Sequence, residues 1–153
     1  MKTIRFITIL LAALTMAPLM AHLLELPNKM KLSRDAYLIV QGIYRGWNLL
    51  GVLEVATVVF STILLVLTIK NKKPMRFVMF AFICFDLALI IFFSFTLPAN
   101  QITDNWTTLP DNWEQLRNRW EYSHATRAIL YIIGLVLLLC SGYIYKKIKP
   151  PVF

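Results

Sequence analysis

Residues 52–69, VLEVATVVFSTILLVLTI, and residues 77–93, FVMFAFICFDLALIIFF, decide the fold. Each is an apolar run close to the roughly 20 residues an α-helix needs to cross a bilayer. Each is interrupted by a single carboxylate, Glu54 or Asp86. Neither run alternates polar with apolar residues, so both read as helices and not as barrel strands. Two further apolar stretches lie outward of them. The predicted spans are about 4–26, 48–69, 75–97 and 125–145, with outer loops at 27–47 and 98–124. The expected fold class is all-α, an integral membrane four-helix bundle, with residues 1–153 forming one membrane domain.

Composition agrees. The 153 residues are 58% hydrophobic and 16% charged, against about 45–50% and 25% for an ordinary soluble domain. The net charge of +8 does not point to nucleic acid, because it is distributed as membrane topology demands. Lys2 and Arg5 precede the first span, Lys70, Lys72, Lys73 and Arg76 crowd the second loop, and Lys146, Lys147 and Lys149 follow the last span. The positive-inside rule then makes both termini cytoplasmic in a multi-pass protein. The outer loops carry mixed charge, and Arg117 and Arg119 are expected in solvent. Cys84 and Cys140 lie inside spans and form no CxxC, so neither a redox motif nor a zinc site is inferred. MKTIRFITILLAALTMAPLMA also has the outline of a secretory signal. The apolar run continues through Leu23, Leu24 and Leu26, which favours a retained helix.

An ionisable side chain near a helix centre costs about 2.5–3.5 kcal/mol on insertion scales and marks a functional site by default. Topology gathers such groups in the outer half. His22 and Glu25 end the first span, and Glu54 lies about 9 Å inside the second at 1.5 Å per residue. Asn100 comes just after the third span, and His124 and Arg127 open the fourth. Asp86 is deeper, and the inner half is expected to hold little that is polar. Helical spacing sorts these residues onto faces. Trp113, Arg117, Trp120, His124, Arg127 and Tyr131 share one face, Thr8, Thr15 and His22 a second, Trp47, Gly51 and Glu54 a third, and Asp86, Phe93 and Asn100 a fourth. Turned inward, they enclose an aromatic pocket with a few polar groups, suited to a lipophilic small molecule. Asn100, Trp120, Asp86 and Trp47 are the expected ligand contacts. Arg127 neutralising a carboxylate to fix helix register is the plainer reading of that pair.

Pro98-Ala99-Asn100, then Trp113, Leu116, Arg119-Trp120, His124 and Arg127, resembles a pattern of small four-helix membrane proteins, P-x-N … W … R-W … H-x-x-R. This is the family that includes the anthrone-oxygenase-like proteins, and the resemblance covers mainly residues 85–145. It implies oxidation of a phenolic tricyclic ketone by dioxygen without a cofactor. His124 would be the base and Arg127 the stabiliser of the oxyanion, with Glu54 orienting His124. Two other classes stand beside this one. His22, Glu25, Glu54 and His124 form a two-histidine, two-carboxylate set suited to a metal ion, and two histidines also suit a haem. Alternatively the chain is a non-enzymatic accessory protein whose polar groups lock the bundle, alone or as a homo-oligomer. Transport is disfavoured by the lack of repeats.

Overall fold

The computed structural model describes residues 1–148, with the backbone alone at Asn48 and Ile148, and Lys149 falls outside the described residues. All regular structure among the described residues is helical. Four helices are long and apolar enough to cross a membrane: Lys2–Lys29, Gly51–Thr68, Lys72–Ile102 and Trp113–Lys147. The expected spans fall within or beside them. We label the elements α1 (Lys2–Lys29), α2 (Arg34–Gln41), α3 (Gly51–Thr68), α4 (Lys72–Ile91), α5 (Leu97–Ile102) and α6 (Trp113–Ile148).

The core is built where the four long helices meet. Leu19 of α1, Leu64 of α3, Phe85 of α4 and Tyr131 and Leu138 of α6 are buried together. The Phe85 ring lies against Tyr131 at 4.9 Å and over Gly134, where a Cβ would stand 2.4 Å from it. The outward surface of the bundle stays apolar: Phe6, Leu10, Val59, Val66, Phe80, Leu87 and Val136 are all exposed. A soluble bundle would present charged residues there. α6 has 36 residues, about 54 Å at 1.5 Å per residue, and so outruns the other helices. Its first turns pack into a second core of Tyr37, Ala99, Trp106, Leu116 and Trp120, which caps the loop-rich end.

Three expectations fail for stated reasons. A helix starting near residue 34 and running unbroken into the second span, which Ser33 as a cap and the amphipathic DAYLIVQGIYRGWN suggest, does not form. Ser33 caps α2 through Ala36 N–H as its sequence position suggests, but two short 3-10 turns, Gly42–Tyr44 and Trp47–Leu50, separate α2 from α3. Gly46 between them has φ of 85°, a conformation that glycine adopts without steric cost. The third span does not end at Pro98. A π turn over Phe92–Thr96 carries α4 into α5. Its wider ring accommodates the proline, which lacks an N–H and would crowd the carbonyl of Ser94 in a regular helix. The half of the bundle near the N-terminus is not bare of polar groups either. Thr8, Thr57, Ser61, Thr68 and Ser141 are buried there or toward it, and their hydroxyls mostly donate to carbonyls three or four residues back. Such groups hide inside apolar sequence because they satisfy themselves locally.

Gly134→Ala is expected to lower stability by about 1–3 kcal/mol, the usual range for overpacking, because the Phe85 ring has to move. Thermal unfolding in detergent checks this, and an unchanged transition would contradict the Phe85–Gly134 packing.

Candidate functional site

The long helices leave a cavity of about 280 Å³ at the loop-rich end, next to the capping core. Thr15, Pro18, Leu19 and His22 of α1 form one wall, Glu54 of α3 a second, and Trp120, His124 and Arg127 of α6 a third. The fourth wall is Phe92, Thr96 and Asn100. The strap between α2 and α3 covers it with Tyr44, Trp47 and Leu50, and the loop after α5 with Asn105 to Thr107.

The floor is a buried ion pair. Arg127 Nη2 donates to Glu54 Oε2 at 2.6 Å and Nε to Oε1 at 3.3 Å, a fork that lysine cannot make. Arg127 Nη1 reaches Thr96 Oγ1 at 3.3 Å and His124 Nδ1 at 3.4 Å. Thr96 Oγ1 in turn meets Ser123 Oγ at 2.7 Å. A guanidinium only donates, so the network assigns His124 Nδ1 as acceptor and leaves the proton on Nε2. That Nε2 is buried without a partner, as is His22 Nδ1. The two imidazole rings lie side by side, 4.2 Å between centroids. Trp120 stands edge-on to both, at 4.9 Å from His22 and 4.3 Å from His124, and Tyr44 lies against His22 at 4.5 Å.

Asn100 fixes the tryptophans. Its Oδ1 accepts from Trp120 Nε1 at 2.7 Å and from Trp106 Nε1 at 3.1 Å. Asp104, Asn105 and Trp106 all have positive φ, from 48° to 61°. Three consecutive non-glycine residues in that region are strained and persist only where surrounding contacts hold them. Here the Trp106 ring packs between Tyr37 and Trp120, and Thr103 Oγ1 accepts from its backbone N–H.

A second buried ion pair lies beside the cavity. Lys29 Nζ meets Glu121 Oε1 at 2.7 Å, both side chains being buried. The ammonium also sits over the rings of Tyr44 at 4.5 Å and Trp120 at 4.8 Å, a cation–π cage. Tyr37 donates to Glu121, Gln41 donates to Tyr37, and Tyr44 donates to Glu25. Burial, reinforced by Glu25, pushes the Tyr44 phenol well above its ordinary range, and burial reinforced by Glu121 does the same to Tyr37. Both therefore remain neutral donors at any working pH.

Of the expected residues, His22, Glu54, Trp47, Asn100, Trp120, His124 and Arg127 all line the cavity. Asp86 does not. It is half-buried on α4 outside the cavity, and among the described residues it has no hydrogen bond or ion pair. The expectation that Asp86, Phe93 and Asn100 share a face assumed a regular helix. The π turn between them adds a residue to one turn and rotates the downstream residues by about 100°. Glu25 is held by Tyr44 and Glu54 by Arg127, so the two-histidine, two-carboxylate set is not assembled. No group of three His, Cys, Asp or Glu side chains is placed to hold a metal among the described residues. Arg117 is not in solvent: its guanidinium lies over Trp113 at 4.6 Å and donates to Leu32 O. Lys29, Gln41 and Tyr44 were missed because sequence placed them in an outer loop. The i, i+7 step from His22 to Lys29 was the available signal.

The chain matches no family model, no curated protein and no solved structure. Among the described residues, fold and site define an all-helical protein with four helices fit to span a membrane and an aromatic cavity holding two imidazoles and an ion pair.

Lys29→Met is expected to cost about 3–5 kcal/mol, since it leaves Glu121 buried without its cation. Asp86→Asn, outside both networks, should change stability by no more than about 0.5 kcal/mol. Denaturant titrations of the purified protein rank the two, and the reverse order would contradict this pairing.

Proposed function

We propose that this chain is an integral membrane protein, both termini cytoplasmic, that binds a small, flat, lipophilic molecule bearing a carbonyl or phenol and oxidises it with dioxygen. The apolar outer surface and the polarity of the loop charges support the placement. The observation that carries the activity is the histidine pair, two buried imidazoles 4.2 Å apart, each with an unpartnered nitrogen. Aromatic walls suit a planar ligand, and about 280 Å³ lies near the lower end of small-molecule pockets.

The two histidines take different roles. His22 makes no hydrogen bond among the described residues, so whichever tautomer it adopts, one ring nitrogen keeps a free lone pair. It is the base. His124 presents Nε2–H, and with Arg127 behind it this donor stabilises an oxyanion rather than taking a proton. This exchanges the part that the family resemblance gives to His124. The chemistry balances without a cofactor. Removal of a C–H proton next to the aromatic rings gives a carbanion, which transfers electrons to dioxygen and forms a C–O bond. Loss of the second C–H proton with cleavage of the O–O bond leaves a new carbonyl and one water.

The test is oxygen uptake with an anthrone in detergent micelles. His22→Ala and His124→Ala should each lower the rate by about 10²–10⁴-fold, the usual contribution of acid–base groups. No uptake above the uncatalysed rate by the wild type, or equal rates in wild type and variants, would overturn the activity. The same imidazoles support a second reading, a copper or zinc ion taking His22 and His124 as two of its ligands. Stoichiometric metal in the purified protein, lost in His22→Ala, would establish that reading instead.

A further inference from the structure

Arg5 sits at the opposite end of the bundle from the cavity, near the start of α1, and only 8% of it is exposed. Its Nη1 donates to Ser141 Oγ of α6 at 2.7 Å, and Ser141 donates to Pro74 O of α4 at 3.0 Å. The guanidinium lies 5.4 Å from the Tyr145 ring centroid. Gly142 makes room for the side chain: a Cβ there would touch Arg5 Cδ at 3.4 Å. The niche is thus built from three helices around one guanidinium. Its Nη2 is buried with no acceptor.

A buried cation calls for an anion, and among the described residues Arg5 is in no ion pair. The chain has eight Asp and Glu residues in all. The first is Glu25, none lies between Glu54 and Asp86, and none comes after Glu121. The charged side chains near the ends of the helices here, Lys2, Lys70, Lys72, Lys73, Arg76, Lys146 and Lys147, are all cations. α1 and α4 both begin here and direct their positive dipole ends the same way. Arg5 does not escape into water as snorkelling side chains do. An unpaired buried guanidinium is strongly unfavourable, and a bilayer offers an anion that suits it, the phosphate of a phospholipid.

We propose that Arg5, held in place by Ser141, forms with the N-terminal ends of α1 and α4 a binding site for the phosphate of an anionic phospholipid. The guanidinium fork matches phosphate oxygens, and basic niches between membrane helices are suited to anionic headgroups. The site rests on the membrane placement and is independent of the cavity chemistry.

Delipidated protein in a neutral detergent is titrated with phosphatidylglycerol and, separately, with inorganic phosphate, and lipid retention is read by native mass spectrometry. The wild type should hold one phosphatidylglycerol per chain. Arg5→Gln should weaken retention at least tenfold, and Arg5→Lys, which keeps the charge but loses the fork, should weaken it several-fold. Lys72→Gln and Lys73→Gln should stay within about twofold of wild type. Arg5→Lys also serves if Arg5→Gln does not fold. Unchanged retention in a folded Arg5 variant overturns the site, as does equal loss in the lysine variants, which would mean a diffuse basic surface. Saturation by inorganic phosphate that displaces the lipid would make it a free-anion site and overturn the lipid assignment. Recovery of the protein without detergent would instead sink the membrane placement itself.

Discussion

Glu54 and Arg127 meet 2.6 Å apart in the interior of the bundle, and the rest of the cavity end depends on that contact. Taking two charges out of water costs several kcal/mol per ion, which their attraction offsets only with good geometry and further hydrogen bonds. The sequence supplies both. The fork satisfies both carboxylate oxygens, and the remaining guanidinium nitrogen is shared between Thr96 and His124. One side chain of α6 thereby sets the register of α3, fixes the π turn that ends α4, and decides the tautomer of a neighbouring imidazole. An ion pair of this kind adds little to stability compared with an apolar replacement. What it adds is specificity, because any slip of one helix strands two buried charges.

The cavity arises from two local departures from regular helix. The π turn at Phe92–Thr96 rotates Asn100 toward the tryptophans, and the glycine-punctuated strap brings Tyr44 and Trp47 over His22. The Lys29–Glu121 pair then ties α1 to α6 just beyond the histidines, with Tyr37 of α2 donating to Glu121 and Gln41 to Tyr37. Glu54 and Arg127, on the cavity floor, satisfy each other. His22 Nδ1 and His124 Nε2 are buried beside them without a partner, and that contrast is why the imidazoles and not the carboxylates carry the functional reading.

Much of this was legible in the sequence. The four long helices are foreshadowed by apolar runs of bilayer length. The single carboxylate in VLEVATVVF marked α3 as the helix facing a partner. The i, i+3 and i, i+4 series from Trp113 to Tyr131 placed Trp120, His124 and Arg127 on one buried face, and the Thr8, Thr15, His22 heptad placed the second histidine opposite. Asp86 misled because periodicity carries across a helix only while its pitch is constant, and nothing local announces a π turn except a proline two residues beyond it. Lys29 and Glu121 misled because charge near a span end is ordinarily solvated. Their burial comes from the capping core of Tyr37, Trp106 and Trp120, a tertiary arrangement that no single stretch encodes.

The most direct measurement of the pair's organising role is a double-mutant cycle at positions 54 and 127, using Glu54→Gln, Arg127→Met and the double variant, with unfolding free energies read in one detergent. Each single change should cost about 3–5 kcal/mol because it strands its partner. The double variant should cost less than the two single costs added together, by a coupling of at least about 1–3 kcal/mol. Additive costs, or single variants as stable as wild type, would contradict the claim that this pair organises the site.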